Sequence, residues 1–310
     1  MKFFFRKIVT LVITLFIVSM LAFIAFQLIS GDPAVFLLGL EATPENVAAL
    51  RAEMGLDRPA TLRYFEWLRR FLFGDMGDSY LSGMTVREVI GNRVSITGAL
   101  LGLSFLFTAV IALPIGIVTS QKKMGAVNIA VTGVSQFGMA IPPLFLGIIL
   151  TFVFGTVLNI ISSAAFPLHR EGALVGYLFL PALAIALPKS AMAVRVIRAS
   201  VFDEMGKDYV RTAYSRGRGS RTVLFHHIIP NVAVSVITFL LLTFTMMVTD
   251  AIVVERIFSI PGAGRLLIRA IETRDYPVVQ SLVVIVAAFV VGLNFLTDIL
   301  CRAVDPRITR

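Results

Sequence analysis

The sequence is short of the residues that most chemistry needs. It has one cysteine, Cys301, among 310 residues, and three histidines. A single cysteine excludes an internal disulfide and a thiolate pair for zinc, and its place at the end of an apolar run suits packing. His226 and His227 are adjacent, so a helix points them to different faces, and there is no HExxH; no metal site is expected. No GxxxxGK[S/T] loop occurs. The glycines of Pro261-Gly262-Ala263-Gly264 are not followed by the lysine and hydroxyl that hold nucleotide and magnesium, so the chain is not expected to hydrolyse ATP. Neither a serine elbow nor a plausible acid pair for an intramembrane hydrolase is found. Charge is scarce as well, at 15% of residues against about a quarter in soluble domains. The net charge of +9 sits between apolar runs, without the exposed aromatics that single-strand binders interleave, so nucleic acid is not an expected partner.

What the chain has in abundance is apolar residues, 57% of the total, with a mean hydropathy of +0.88. They fall in runs long enough to cross a bilayer, about twenty residues each. The fold class is therefore all-α, a polytopic membrane protein with six transmembrane helices. Lys2, Arg6 and Lys7 precede an apolar run ending near Phe26. It is too long for a signal peptide and has no small-x-small cleavage site, so residues 1–29 read as an uncleaved first span. Residues 30–95 form a polar insert with seven basic and nine acidic residues. Within it, Thr43-Pro44-Glu45 reads as cap, first-turn proline and acidic first turn, with Gly55 as the stop. A second helix is expected from about Thr61 to Phe73. The insert is read as a mixture of a lid on the spans and a docking surface, with no residue assigned. Residues 96–310 hold the other five spans, at about Ile96–Thr119, Val127–Val157, Gly176–Val196, Val232–Val253 and Val278–Leu300. The third is interrupted at Pro142-Pro143, tolerable at membrane depth only where protein or water satisfies the freed backbone groups. Six spans place both termini on one side. The basic residues of the N-terminus, Lys122-Lys123, the loop after the fourth span, and Arg302, Arg307 and Arg310 then fall inside. The loop from Glu255 to Tyr276 departs from that rule, since it is outside yet holds four arginines.

The densest basic stretch lies at about 197–230. Seven of the 28 Lys and Arg fall between Arg195 and Arg221. Phe202, Met205, Tyr209 and Ala213 recur at spacings of three and four, one stripe of an amphipathic helix, with Asp203, Lys207, Asp208 and Arg211 opposite. Gly217 and Gly219 are expected to close it in the left-handed region, Ser220 to cap a second short helix, and Pro230 to limit that helix. Such a projection either docks a soluble partner or lies on anionic lipid.

These residues resemble the permease subunits of ABC importers in the oligopeptide, dipeptide and nickel branch. The pieces that carry the likeness occur in order: GDPA at Gly31–Ala34, MGLDRPA at Met54–Ala60, GDMGDSY at Gly74–Tyr80, YVRTAYSRG at Tyr209–Gly217, VVERIFSIPGAGRLL at Val253–Leu267, RDYPVVQ at Arg274–Gln280 and DPRI at Asp305–Ile308. The resemblance covers nearly the whole chain. It implies that Asp208, Tyr209, Arg211, Thr212, Ala213 and Gly217 belong to a cytoplasmic coupling helix seated in an ATPase subunit. Tyr214, Ser215 and Arg218 depart from the residues usual there. It implies an outer gate or turn at Glu255, Pro261, Gly262 and Gly264, for which a plain surface turn is the alternative. It implies a multi-pass protein of a bacterial inner membrane, with both termini cytoplasmic. The implied partners are a second related permease, two ATPase subunits and an extracytoplasmic substrate-binding protein. ATP and magnesium would be used by those partners, with no cofactor bound by this chain. Cargo would be peptides, or nickel or another small solute.

Two charges in or near spans, Lys189 and Asp250, line a pathway, pair with each other or across subunits, or lie nearer the membrane interface than the span boundaries suggest. A self-contained ion-coupled carrier using them is the competing reading. Such carriers often show inverted repeats and more spans, and neither is seen here.

Overall fold

A computed structural model describes residues 2–28, 31–120, 125–158 and 173–304. Lys122, Lys123, Arg307, Arg310 and the Asp305–Ile308 motif lie outside the described residues. The described secondary structure is helical, apart from one isolated bridge between Asp78 and Thr85. Among the described residues five helices are long and apolar enough to cross a membrane, and the number is six if one bent pair counts as a single span.

The chain divides into two compact units, one of residues 1–97 and 261–292, the other of residues 98–260 and 293–310. This differs from a division into first span, insert and core, because the first span and the insert share their unit with a later segment, residues 261–292.

In the first unit, α1 (Lys2–Leu28) is followed by three short helices, α2 (Pro33–Leu38), α3 (Pro44–Glu53) and α4 (Ala60–Leu72). Asp32 caps α2 by accepting the Ala34 N–H at 2.9 Å. Thr43 caps α3 as expected, its hydroxyl accepting the Asn46 N–H at 3.3 Å. Gly55 follows that helix in the left-handed region, at φ 65°. Tyr64 of α4 is buried against α1, its hydroxyl 2.8 Å from Ser19 Oγ and its ring between Phe16 and Phe23. The core of this unit gathers Phe26, Val86, Ile90, Leu266, Ala270, Val279 and Leu282.

The second unit is built on longer helices. α5 (Val86–Ser120) begins ten residues before the expected start of the second span at Ile96. Arg87, Glu88, Asn92 and Arg93 make that first stretch polar, but a helix satisfies its own backbone and can project beyond hydrocarbon. α5 also contributes to the first unit, as does α13 (Tyr276–Val304). α6 (Ala126–Ala140) and α7 (Pro143–Thr151) are the halves of the broken third span. They differ in direction by 96° across Ile141-Pro142, and a π-helical turn at Phe152–Val157 follows. α8 (Ala173–Met205) runs nine residues past the expected end at Val196. Then come α9 (Asp208–Ser215), α10 (Ser220–Val223), a π-helical turn at Leu224–Ile228, and α11 (Ile229–Ile257). α12 (Ala263–Glu272) belongs to the first unit. Ala193, Ile197, Val201, Val210, Val223, Ile228 and Val232 form the core that binds α8, α9 and α11 together.

Several local expectations are corrected here. The amphipathic stripe is not one helix, because the chain breaks at Gly206-Lys207, so Phe202 and Met205 of α8 are out of phase with Tyr209 and Ala213 of α9. Phe202 is 67% exposed, and the buried residues are Val201, Glu204, Val210 and Ala213. Of the two glycines only Gly217 is left-handed, at φ 77°. Gly219 has φ −66° and is itself the cap of α10, the place expected for Ser220. Pro230 does not stop the second helix. It falls in the first turn of α11, directly after the π-helical turn at Leu224–Ile228, and the helical run continues from Ser220 to Ile257.

Candidate functional site

The basic stretch folds as a strut. After Met205 the backbone closes on itself, with Gly206 N–H on Asp203 O at 3.3 Å and Lys207 N–H on Glu204 O at 3.2 Å. α9 starts afresh from Lys207. At its far end Gly217 and Arg218 donate their N–H groups back to the Tyr214 and Ala213 carbonyls. Val210 and Ala213 enter the core at 1% and 7% exposure, so the small side chain at 213 has a packing reason. Asp208, Arg211, Thr212, Tyr214 and Ser215 face outward. Thr212 and Ser215 turn their hydroxyls back onto the carbonyls four residues earlier, and Arg211 lies 3.9 Å from Asp208.

A polar knot ties α9 to the helices on both sides. Buried Glu204, near the end of α8, accepts the Tyr209 hydroxyl at 2.6 Å and pairs with Lys207 at 2.6 Å. The Asn231 amide of α11 donates to the same hydroxyl at 3.2 Å and to the His227 carbonyl at 2.6 Å. Arg218 reaches the His227 ring nitrogen at 2.9 Å. Partial burial, and then the Glu204 carboxylate it bonds, push the Tyr209 hydroxyl up to about 12, so it stays a proton donor at neutral pH. Asp208, Tyr209, Arg211, Thr212, Ala213 and Gly217 are thus brought together. Glu204 and Asn231 were not singled out by sequence, and His227 was considered there only as a metal ligand. Arg218, a departure from the family pattern, turns out to hold a contact of its own.

Lys189 and Asp250 meet at 2.8 Å between α8 and α11, with side chains 17% and 19% exposed. The two charges thus pair with each other. Glu255 lies on the same helix as Asp250 and is fully buried. Pro261, Gly262 and Gly264 belong to the first unit, where Gly262 caps α12 and Gly264 sits inside its first turn. A plain surface turn does not fit, since Gly262, Ala263 and Gly264 are buried and Ala263 N–H donates to Thr97 at 2.8 Å.

Three of the motifs quoted above converge in that unit. Asp275, 4% exposed, accepts the Ser79 hydroxyl at 2.5 Å and the Tyr80 N–H at 3.1 Å. Tyr276 donates to the Gly31 carbonyl at 3.3 Å and packs edge-on with Tyr80. Arg274 holds φ 59°, and its guanidinium fills the space a side chain at Gly31 would need. GDPA, GDMGDSY and RDYPVVQ are therefore one assembly.

Comparison with known proteins follows the same lines. The profile of the family described as "Binding-protein-dependent transport system inner membrane component" matches residues 112–310, and that of its N-terminal part matches residues 1–100. A putative peptide transport system permease protein of Brucella suis is 32% identical over 305 residues, covering 98% of this chain and 97% of the relative. A probable peptide ABC transporter permease protein of Sinorhizobium fredii is 29% identical with the same coverage. A glutathione transport system permease protein of Pectobacterium atrosepticum is 31% identical over 308 residues, covering 99% of each. Among solved structures, one described as the crystal structure of an amino acid ABC transporter with histidines superposes with a TM-score of 0.54. It is 15% identical and covers 70% of this chain and 94% of that one, a likeness of fold.

Proposed function

The chain belongs to the family of binding-protein-dependent transport system inner membrane components, and from that premise we propose that α9 is the piece through which an ATPase subunit moves this permease. The chain is a transmembrane subunit of an ABC importer and an integral inner membrane protein; it works with ATPase and binding-protein partners. The finer reading is ours. A second, related permease completes the pathway, and two ATPase subunits use ATP and magnesium. Both termini and the stretch 197–230 lie in the cytoplasm, and residues 30–95 face outward. Peptides are the cargo class, because relatives of matching length are peptide and glutathione permeases.

One observation carries the coupling role. α9 keeps its apolar residues in the subunit's own core and offers Asp208, Arg211, Thr212, Tyr214 and Ser215 outward. A helix lying on lipid presents a broad apolar face to it, and this one has spent that face internally. The knot of Glu204, Tyr209, Asn231 and His227 then makes a push on α9 a push on α8 and α11 together.

Gly217 tests the reading. It is left-handed, and a Cβ there meets nothing within 4 Å, so a substitution acts through backbone strain alone. A left-handed L-residue costs about 1–2 kcal/mol, more if β-branched, while asparagine tolerates the region. Gly217→Val should lower uptake severalfold in the assembled transporter while ATP hydrolysis continues, and Gly217→Asn should keep both. Normal uptake by Gly217→Val would count against the role given to α9.

A further inference from the structure

The first unit holds a cavity of about 510 Å³, lined by neither α9 nor the Lys189–Asp250 pair. Its walls include Phe23 and Gln27 at the outer end of α1, Arg63 and Trp67 of α4, and Tyr80. Two ion pairs stand around it, Arg58 with Glu66 through a two-pronged contact at 2.7 and 2.8 Å, and Arg70 with Asp75 at 2.7 Å. These four charges cancel. Arg63 is left as the cation without an acid partner among the described residues. One of its terminal nitrogens donates to the Gln27 side-chain oxygen at 2.9 Å, its head lies 6.0 Å from the Phe23 ring centre, and its Nε–H is buried with no acceptor. The Trp67 indole N–H is likewise buried without an acceptor. Unanswered buried donors are costly, so a cluster of them points to a missing acceptor. Tyr80 adds a hydroxyl that burial pushes up to about 12, with Arg63 acting the other way, so it too is a donor. Two exposed acids, Glu53 and Asp78, also line the cavity.

The position says where an acceptor would come from. Tyr64, next to Arg63, contacts α1 at Ser19, eight residues before Gln27. That is about 12 Å along a helix axis. α4 therefore runs beside α1 within the outer half of a bilayer whose hydrocarbon is about 30 Å thick. Only 11% of the apolar stretch of α1 is buried, and its exposed stripe includes Ile17, Leu21 and Ile24. α4 exposes Leu62, Phe65 and Leu72 on the side away from the cavity. Gln27 and Phe23 then stand at the level of lipid headgroups.

We propose that this cavity is a phospholipid headgroup site, in which Arg63 receives the phosphate, Trp67 and Tyr80 donate to it, and the acyl chains lie on Ile17, Leu21 and Ile24. The planar guanidinium fork suits a phosphate oxyanion, and the exposed Glu53 and Asp78 accommodate an ammonium or hydroxyl beyond it. The site anchors the insert to the bilayer. A free oxyanion, whether inorganic phosphate or the carboxylate of a peptide, has the same chemistry, and the experiment separates these sources.

The assembled transporter is placed in phosphatidylcholine nanodiscs containing a phosphatidylglycerol with a photoreactive headgroup. After illumination, adducts are mapped by mass spectrometry. Label should appear on residues 60–80, fall about tenfold in Arg63→Gln, fall severalfold in Trp67→Phe, and persist in Arg63→Lys. Label on α7, which does not line the cavity, should not change. Should Arg63→Gln fail to assemble, Trp67→Phe, which keeps an aromatic ring but removes the N–H together with the pyrrole half of the indole, carries the test. Equal labelling of 60–80 in wild type and Trp67→Phe overturns the site. Competition by millimolar inorganic phosphate or by dialanine overturns its assignment to lipid.

Discussion

Replacing Tyr209 by phenylalanine isolates the knot that fastens α9. The ring stays, and one hydroxyl is lost. Glu204 loses the donor at 2.6 Å but keeps Lys207 at 2.6 Å, so its charge is not stranded. Asn231 loses an acceptor at 3.2 Å but keeps the His227 carbonyl at 2.6 Å. The main loss is one hydrogen bond to a charged group, about 1.5–3 kcal/mol. Tyr209 is 39% exposed, so water replaces part of it and the lower part of that range applies, about 1.5–2 kcal/mol. At 1.36 kcal/mol per factor of ten, local opening of α9 becomes about 10–30-fold more frequent. Amide hydrogen exchange in the assembled transporter reads this directly. Residues 208–219 should lose protection by that factor, while amides in the middle of α11 keep theirs. Uptake per ATP hydrolysed should fall in the same variant. Unchanged exchange at 208–219 would refute the energetic role of the hydroxyl. Faster exchange with undiminished uptake per ATP would refute the claim that the knot transmits motion.

Two further substitutions probe packing and charge. Lys189→Met leaves the Asp250 carboxylate largely buried without its partner at 2.8 Å, and breaking such a pair costs roughly 3 kcal/mol. Thermal unfolding in detergent should therefore be lower for Lys189→Met than for the double variant Lys189→Met/Asp250→Leu, and the reverse order would contradict the pairing. Gly31→Ala places a methyl 1.2 Å from Arg274 Nη1 at φ 128°. It should destabilise the transporter by about 2 kcal/mol or more. Adding Arg274→Ala should recover only part of the unfolding temperature, since it relieves the clash and not the backbone strain.

What could be read before the structure was set by local chemistry. The cap at Thr43, the stop at Gly55, helix α4 and the break at Pro142-Pro143 each follow from residues within a turn or two of one another. The ends of spans were harder, because hydropathy marks where the bilayer stops and not where the helix does; α5 and α8 both continue into polar sequence. The stripe from Phe202 to Ala213 failed for a sharper reason. Two residues out of helix at Gly206-Lys207 reset the phase, so counting by three and four no longer reports a shared face. The knot and the motif assembly were beyond local reasoning altogether. Glu204 and Asn231 are ordinary polar residues until Tyr209 lies between them, and Tyr276 meets Gly31 across 245 positions.

The unbroken run of α11 has a mechanical consequence. Asn231, in the knot, and Asp250, in the charged pair, are nineteen residues apart on one helix, with no break between them. At 1.5 Å per residue that is a rod of about 28 Å. Pivoting it about its middle by roughly 10° carries each end about 2.5 Å, in opposite directions, over that length. A nudge at the base that shifts Asn231 by about 2.5 Å therefore reaches the far end of the helix as an equal and opposite displacement, comparable to the 2.8 Å Lys189–Asp250 separation itself. No hinge is needed along the way; a stiff lever with a proline at its foot suffices.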